Sequence, residues 1–183
     1  YPNFGVSHGG TQVTVQGTGF LASQDLLCRF GNIDVVGSFN NEEETISCVS
    51  PGDSNIGSSH LVSVSLNGID FSPSTIDFRY TSPMEVLSIS PKWADEAGGT
   101  ILNVVGAGFE DTDELACIFQ NRHTNPIYSS AEYVSSIELQ CPTPPMTAPS
   151  ELGLKVTANG IDMSAGNVWL EYIPRPIVSL IKP

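Results

Sequence analysis

The chain has 183 residues, 7 basic against 20 acidic side chains, and a formal net charge of −13. Phosphate backbones and anionic bilayers are held by clustered Lys and Arg, so this balance argues against both as partners and reads as solubility through self-repulsion. With 17 Gly, 13 Pro and no apolar run long enough for a spanning helix, the composition is that of a turn-rich globular chain with no membrane insertion in this segment.

In chain order, strands are expected over 12–16, 26–31, 45–49, 61–66 and 75–80, then over 101–105, 115–120, 136–141, 153–158 and 167–172. No stretch keeps a helical period for three turns. Val62, Val64 and Leu66 alternate with Ser63 and Ser65, and Ile76, Phe78 and Tyr80 alternate with Asp77 and Arg79. That is the pattern of strands with one face in a core and one in water. Asn67-Gly68 and Asn159-Gly160 each follow a strand and predict type I′ turns.

The two sets of strands are copies of one another. Gly9-Gly10-Thr11 through Gly17-Thr18-Gly19-Phe20 returns as Gly98-Gly99-Thr100 through Gly106-Ala107-Gly108-Phe109, 89 residues later. Cys28 and Phe30 match Cys117 and Phe119 at 89, Cys48 and Pro51 match Cys141 and Pro144 at 93, and Asn67-Gly68-Ile69-Asp70 matches Asn159-Gly160-Ile161-Asp162 at 92. Steady offsets put the insertions in loops and imply modules over 1–82 and 83–174. At offset 92, Val178-Ser179-Leu180-Ile181-Lys182-Pro183 matches Val86-Leu87-Ser88-Ile89-Ser90-Pro91, so 175–183 is expected to be the opening strand of a third module. Tyr1-Pro2 matches Ser90-Pro91, which leaves the first module without its own opening strand.

Four cysteines fall as one pair per module. Cys28 shares strand parity with Phe30 and Cys48 with Ile46; Cys117 and Phe119, Cys141 and Leu139 repeat this. Inward thiols at this spacing read as Cys28–Cys48 and Cys117–Cys141 bridges, hence an oxidising compartment. The alternative is four reduced core thiols. Zinc is disfavoured because the CxxC spacing and paired His are missing.

The order Pro, Gly-Gly-Thr, Val-x-Val, Gly-x-Gly-Phe, Cys-x-Phe, Cys-x-x-Pro, Val-x-Val, Asn-Gly and Phe-x-Tyr resembles the IPT/TIG immunoglobulin-like domain, twice over. In the second copy Gln120 stands for Gly31 and Leu170 for Phe78. The resemblance implies an all-β fold of two tandem early-set immunoglobulin-like β-sandwiches, of the kind found in series in plexins, the hepatocyte growth factor receptor and fibrocystin. It further implies a non-enzymatic structural or adhesive repeat segment of a larger cell-surface or secreted protein, possessing protein partners that include other copies or neighbouring modules. The stalk of a plexin-like receptor ectodomain and the accessory modules of a secreted glycan-acting enzyme are alternatives. Intracellular transcription factors also carry such domains, but the acidity and paired cysteines oppose that reading.

Few residues are arranged for chemistry, and no cofactor is expected. Gly5-Val6-Ser7-His8-Gly9 fits G-x-S-x-G formally, yet that motif needs a helix after the Ser, and a strand is expected there. His60 and His123 are expected to lie outside any Ser/Asp or Cys/His cluster. Glu110, Asp111, Asp113 and Glu114 form a candidate calcium loop, against which stands the usual solvation of charge runs. Held at offset 92, Trp169 falls opposite Asp77 and faces water, as a protein- or sugar-contacting residue would. Trp93 is expected to pack between modules. Ile177, Val178, Leu180 and Ile181 are candidate partner-binding residues, either donating a strand to the open edge of another copy or continuing into the next module.

Overall fold

The computed structural model describes residues 1–123 and 125–181, in which strands are joined by turns and irregular segments. Two compact units, Tyr1–Pro83 and Met84–Pro183, follow one another. The last two positions of the expected 175–183 strand, Lys182 and Pro183, lie outside the described residues.

Unit 1 contains β1 (Phe4–Val6), β2 (Gln12–Val15), β3 (Leu27–Phe30), β4 (Ile33–Asn40), β5 (Thr45–Val49), β6 (Ser59–Ser65) and β7 (Ile76–Thr81), in the hydrogen-bonded order β1-β7-β6-β3-β4-β5-β2. This order folds into two layers because β4 changes sheets. Its residues 33–36 pair with β3, whereas 37–40 pair with β5. The crossing falls at Gly37, where a Cβ would stand 2.1 Å from Leu26 Cδ2 and 3.3 Å from Cys28 Sγ. Only hydrogen fits there, and the strand slides over the core edge. Between the layers lie Val13, Leu26, Phe30, Ile46, Val62, Val64, Phe78 and Tyr80. Phe78 meets Phe30 and Tyr80 edge-on, with ring centroids 5.3 and 5.2 Å apart; such pairs add about 0.5–1.5 kcal/mol each beyond their burial.

Unit 2 contains β8 (Glu85–Ser90), β9 (Trp93–Asp95), β10 (Ile101–Ala107), β11 (Ala116–Gln120), β12 (Ile127–Ser130), β13 (Glu132–Ser135), β14 (Glu138–Pro142), β15 (Ser150–Thr157) and β16 (Val168–Ile173). Its sheets run β13-β14-β10-β8 and β12-β11-β15-β16-β9. The single β4 of unit 1 is divided here into β12 and β13 about Ala131, whose amide donates to Leu115 as Gly37 donates to Leu26. β4, β12 and β13, absent from the expected strands, contain no fully buried residue; the period-two apolar positions of β4, Ile33, Val35 and Phe39, are interrupted by Gly37 at the crossing. β1 and β9, three residues each, are too short to show a period.

In each unit one disulfide joins the two layers. Cys28 on β3 bonds Cys48 on β5, and Cys117 on β11 bonds Cys141 on β14, across Cα separations of 6.4 and 6.3 Å. All four sulfurs' residues are buried.

Two expectations are corrected. The Asn-Gly pairs do not close type I′ hairpins: Gly68 and Gly160 have positive φ, but among the described residues Glu44 is the only non-glycine that does. Asn67 Oδ1 instead accepts the amides of Ile69 and Asp70 at 3.0 and 2.9 Å, while its Nδ2 donates to Asp70 Oδ2 at 2.9 Å. Asn159 repeats these bonds with Ile161 and Asp162, so the motif is an Asx turn within a longer loop. Ile76, expected inside, is 55% exposed. In unit 2, β8 lies beside β10 and buries Val86 and Ile89. In unit 1, Tyr1 exchanges main-chain hydrogen bonds with Thr14 on β2, and Ile76 borders a narrow groove with Val13, Val15 and Val62.

The repeated Gly-Gly-Thr and Cys-x-x-Pro motifs explain one another. Gly98 has φ +75°, and a Cβ there would lie 2.6 Å from Pro145 N; Gly9 meets the backbone of Pro51 and Gly52 in the same way. Gly99 has φ +78° with nothing within 4 Å. Both positions resist a side chain through φ, but only the first also collides. Gly98→Ala is therefore expected to destabilise unit 2 by at least ~1 kcal/mol more than Gly99→Ala, measured as the difference between their denaturant unfolding free energies.

Candidate functional site

Ser7 and His8 do not form a nucleophile elbow. They sit in the turn between β1 and β2, the Ser7 amide donates to Thr81 O at 2.8 Å, and His8 Nδ1 lies 2.9 Å from Gly9 O. Strand follows, where the motif requires helix.

His60 is a different case, and the expectation that it stands apart is overturned. On β6 its Nε2 lies 2.6 Å from Asp53 Oδ2, the same oxygen that accepts Ser58 Oγ at 2.6 Å. Asp53 Oδ1 accepts the Asn55 amide at 2.8 Å. The hydrogen bonds from Ser58, Asn55 and His60 hold the Asp53 carboxyl down at about 2. Burial, with the Asp53 charge nearby, pushes the Tyr80 hydroxyl up to about 12. Serine catalysis needs a base hydrogen-bonded to the serine, and here Ser58 and His60 both bond the carboxylate. The cluster is a clamp. It fixes the 53–58 loop beside β7, where the Gly57 amide donates to Tyr80 O and the Tyr80 amide to Ser58 O.

The carboxylates of Glu110, Asp111, Asp113 and Glu114 are not gathered for calcium. Among the described residues no three His, Cys, Asp or Glu side chains form a group able to hold a metal ion. The middle of this loop is tied down instead, by Thr112 Oγ1 donating to Ala158 O at 2.6 Å.

Trp169 lies on the outer face of β16 and is 51% exposed. It registers with Gly153 on β15, which registers with Gln120 on β11. The indole reaches over Gly153, since a Cβ at that glycine would stand 3.5 Å from its Cζ3. Beside the ring is a groove of about 240 Å³, bordered by Gln120, Asn121, Arg122, Lys155 and Asn167. Lys155 Nζ donates to Gly166 O at 2.5 Å. Sequence parity located Trp169, but its neighbours come from three separate strands and their loops, which no local pattern links. Trp93 begins β9 and is 59% exposed.

Beyond β16, Arg175 Nε donates to Asp95 Oδ2 at 2.8 Å. After it, Ile177, Val178, Leu180 and Ile181 are all exposed and outside any strand. None of them borders the Trp169 groove, so the two sets of partner-binding candidates are not brought together.

A family model described as IPT/TIG domain matches residues 1–80 and 84–172. Fibrocystin-L of Homo sapiens is 34% identical over 116 residues, which cover 62% of this chain and 3% of the relative. Plexin-2 of Caenorhabditis briggsae is 27% identical over 151 residues, covering 79% of this chain and 8% of the relative. The chain thus spans only a small fraction of these proteins. Among solved structures, the full extracellular region of Plexin A4 matches with a TM-score of 0.60 at 18% identity, over 98% of this chain and 16% of that one, a likeness of fold.

The Asp53 clamp carries a pH dependence. Its folded value of about 2 lies below the unfolded value of ~3.9. The carboxylate therefore stabilises fully above the unfolded value, and this contribution disappears as pH falls from ~4 through ~2. The melting-temperature difference between the wild type and Asp53→Asn is expected to be largest at pH 5–7 and to shrink steadily toward pH 2, as followed by calorimetry.

Proposed function

The chain belongs to the IPT/TIG domain family, and on that premise we propose that it is a non-enzymatic structural and adhesive repeat segment of a larger cell-surface or secreted protein. The observation that carries this reading is how the duplicated residues are used. Gly9 and Gly98 pack on the backbone after Pro51 and Pro144, the cysteines join the layers, and Asn67 and Asn159 close identical turns. What the two units share is framework. What differs between them, including the Asp53 clamp and the Trp169 groove, lies at loops and outer faces.

Disulfides in both cores fit an oxidising location. The partners in this reading are proteins, among them neighbouring modules or other copies, and contact is made by outer faces and by the apolar run 177–181. That run resembles β8 in sequence; residues 177–181 lie outside any strand here, and in this reading they pair as a strand when they meet another module. A narrower form of the proposal, the stalk of a plexin-like receptor ectodomain, draws on the likeness to Plexin-2 across most of both units.

The tip of the β4–β5 hairpin, Glu42–Glu44, is exposed and suits an inserted epitope. In the full-length protein expressed in cells, antibody is expected to reach this epitope on intact, non-permeabilised cells or in the medium. Labelling only after permeabilisation would refute the proposed location.

A further inference from the structure

Both tryptophans of the chain stand on the same outer face of unit 2. Trp169 is on β16, and Trp93 on β9 registers with Glu171, two residues along from Trp169 on the same side. Strand spacing and rise place the two backbone positions roughly 8 Å apart. The groove beside Trp169 has an unusual charge for this protein. Arg122 and Lys155 border it and, among the described residues, no Asp or Glu does, whereas the chain as a whole carries 20 acidic against 7 basic residues. Gln120, Asn121 and Asn167 add amide groups that both donate and accept hydrogen bonds.

We propose that this groove binds an acidic oligosaccharide, with a pyranose ring lying on the Trp169 indole and its sulfate or carboxylate held by Arg122 and Lys155. The chemistry on each side matches. The apolar face of a sugar ring covers an exposed indole, side-chain amides pair with its hydroxyls, and a guanidinium and an ammonium answer an anionic substituent. Glu171 on β16 and Glu151 on β15, which register with one another farther along this face, give the site a direction: the anionic end of the ligand lies toward Arg122.

A peptide fits less well. β15, the middle strand under the groove, is hydrogen-bonded on both sides, by β11 and β16, so it offers no open edge for an added strand. A groove of about 240 Å³ is also below the ~300–1,000 Å³ of pockets that enclose drug-sized ligands. Contact is therefore with one or two rings, and affinity is modest. Because the rest of the chain repels polyanions, a short oligosaccharide is held as well as a long polymer. Binding at this groove depends neither on which larger protein carries the chain nor on its role as a scaffold.

The test is titration of the full chain, followed by the indole NMR signals, with a heparin-derived hexasaccharide, neutral cellohexaose and hexaglutamate. Saturable binding of the heparin hexasaccharide is expected, weakened about tenfold by Trp169→Ala and by the pair Arg122→Gln/Lys155→Gln, and weakened by added salt. Each variant's melting temperature is measured alongside. Arg122 is exposed, whereas Lys155 also holds Gly166 O, so the single variant Arg122→Gln remains informative if Trp169→Ala or the double variant unfolds. Failure of the hexasaccharide to shift the Trp169 signal, unchanged binding in a folded variant, or equal binding of cellohexaose or hexaglutamate would each overturn the proposal.

Discussion

Two sheets that face each other across a core share no main-chain hydrogen bonds except where a strand passes between them, so the layers must be held by side chains. In this protein the covalent part of that hold is one disulfide per unit. Cys28 and Cys117 stand on the layer built around β3 and β11, and Cys48 and Cys141 on the opposing layer. The loops they close, 20 and 24 residues by sequence separation, are long enough to restrict the unfolded chain appreciably. For sandwiches of under ~100 residues, whose cores bury a limited share of their surface, that restriction is a large part of the net stability.

Other framework features follow from keeping the layers in register about this link. Gly37 lets β4 cross from one layer to the other beside the sulfur of Cys28. Gly9 and Gly98 let the strand entering each unit lie against the segment just past the second cysteine. Tyr172 closes the same corner of unit 2 by donating its hydroxyl to Pro144 O at 2.8 Å, and burial pushes that hydroxyl up to about 12. With so much of each module fixed from within, outer faces and loops can differ between copies at little cost. That freedom is what a family of repeated modules needs if each copy is to meet a different neighbour.

The sequence made the framework legible because every repeated motif is local: a glycine beside a glycine, a cysteine two residues from a phenylalanine, alternation along one strand. The disulfide pairing followed from parity, since Phe30, Ile46, Phe119 and Leu139 marked which way each cysteine points. Other features stayed hidden for a physical reason. β4, β12 and β13 contain no fully buried residue, and the alternation of Ile33, Val35 and Phe39 in β4 is broken by Gly37. Asn67-Gly68 carries the signature of a tight hairpin, yet the Asn67 side chain captures the next amides and a longer loop results. His60 finds Asp53 and Ser58 because a loop folds back on β6, a meeting that strand periodicity cannot anticipate. The groove at Trp169 depends on the register of three strands, and only its aromatic member could be read from one.

The dependence on the inter-sheet link is open to one direct measurement. Both tryptophans, Trp93 and Trp169, belong to unit 2, so indole fluorescence reports the unfolding of that unit alone. Guanidinium titrations of the oxidised chain and of Cys117→Ala/Cys141→Ala compare unit 2 with and without its link. The account predicts a loss of about 3 kcal/mol in unfolding free energy, the order expected for closing a loop of this size. Indistinguishable transitions would contradict it, because side-chain packing would then suffice to hold the two layers together.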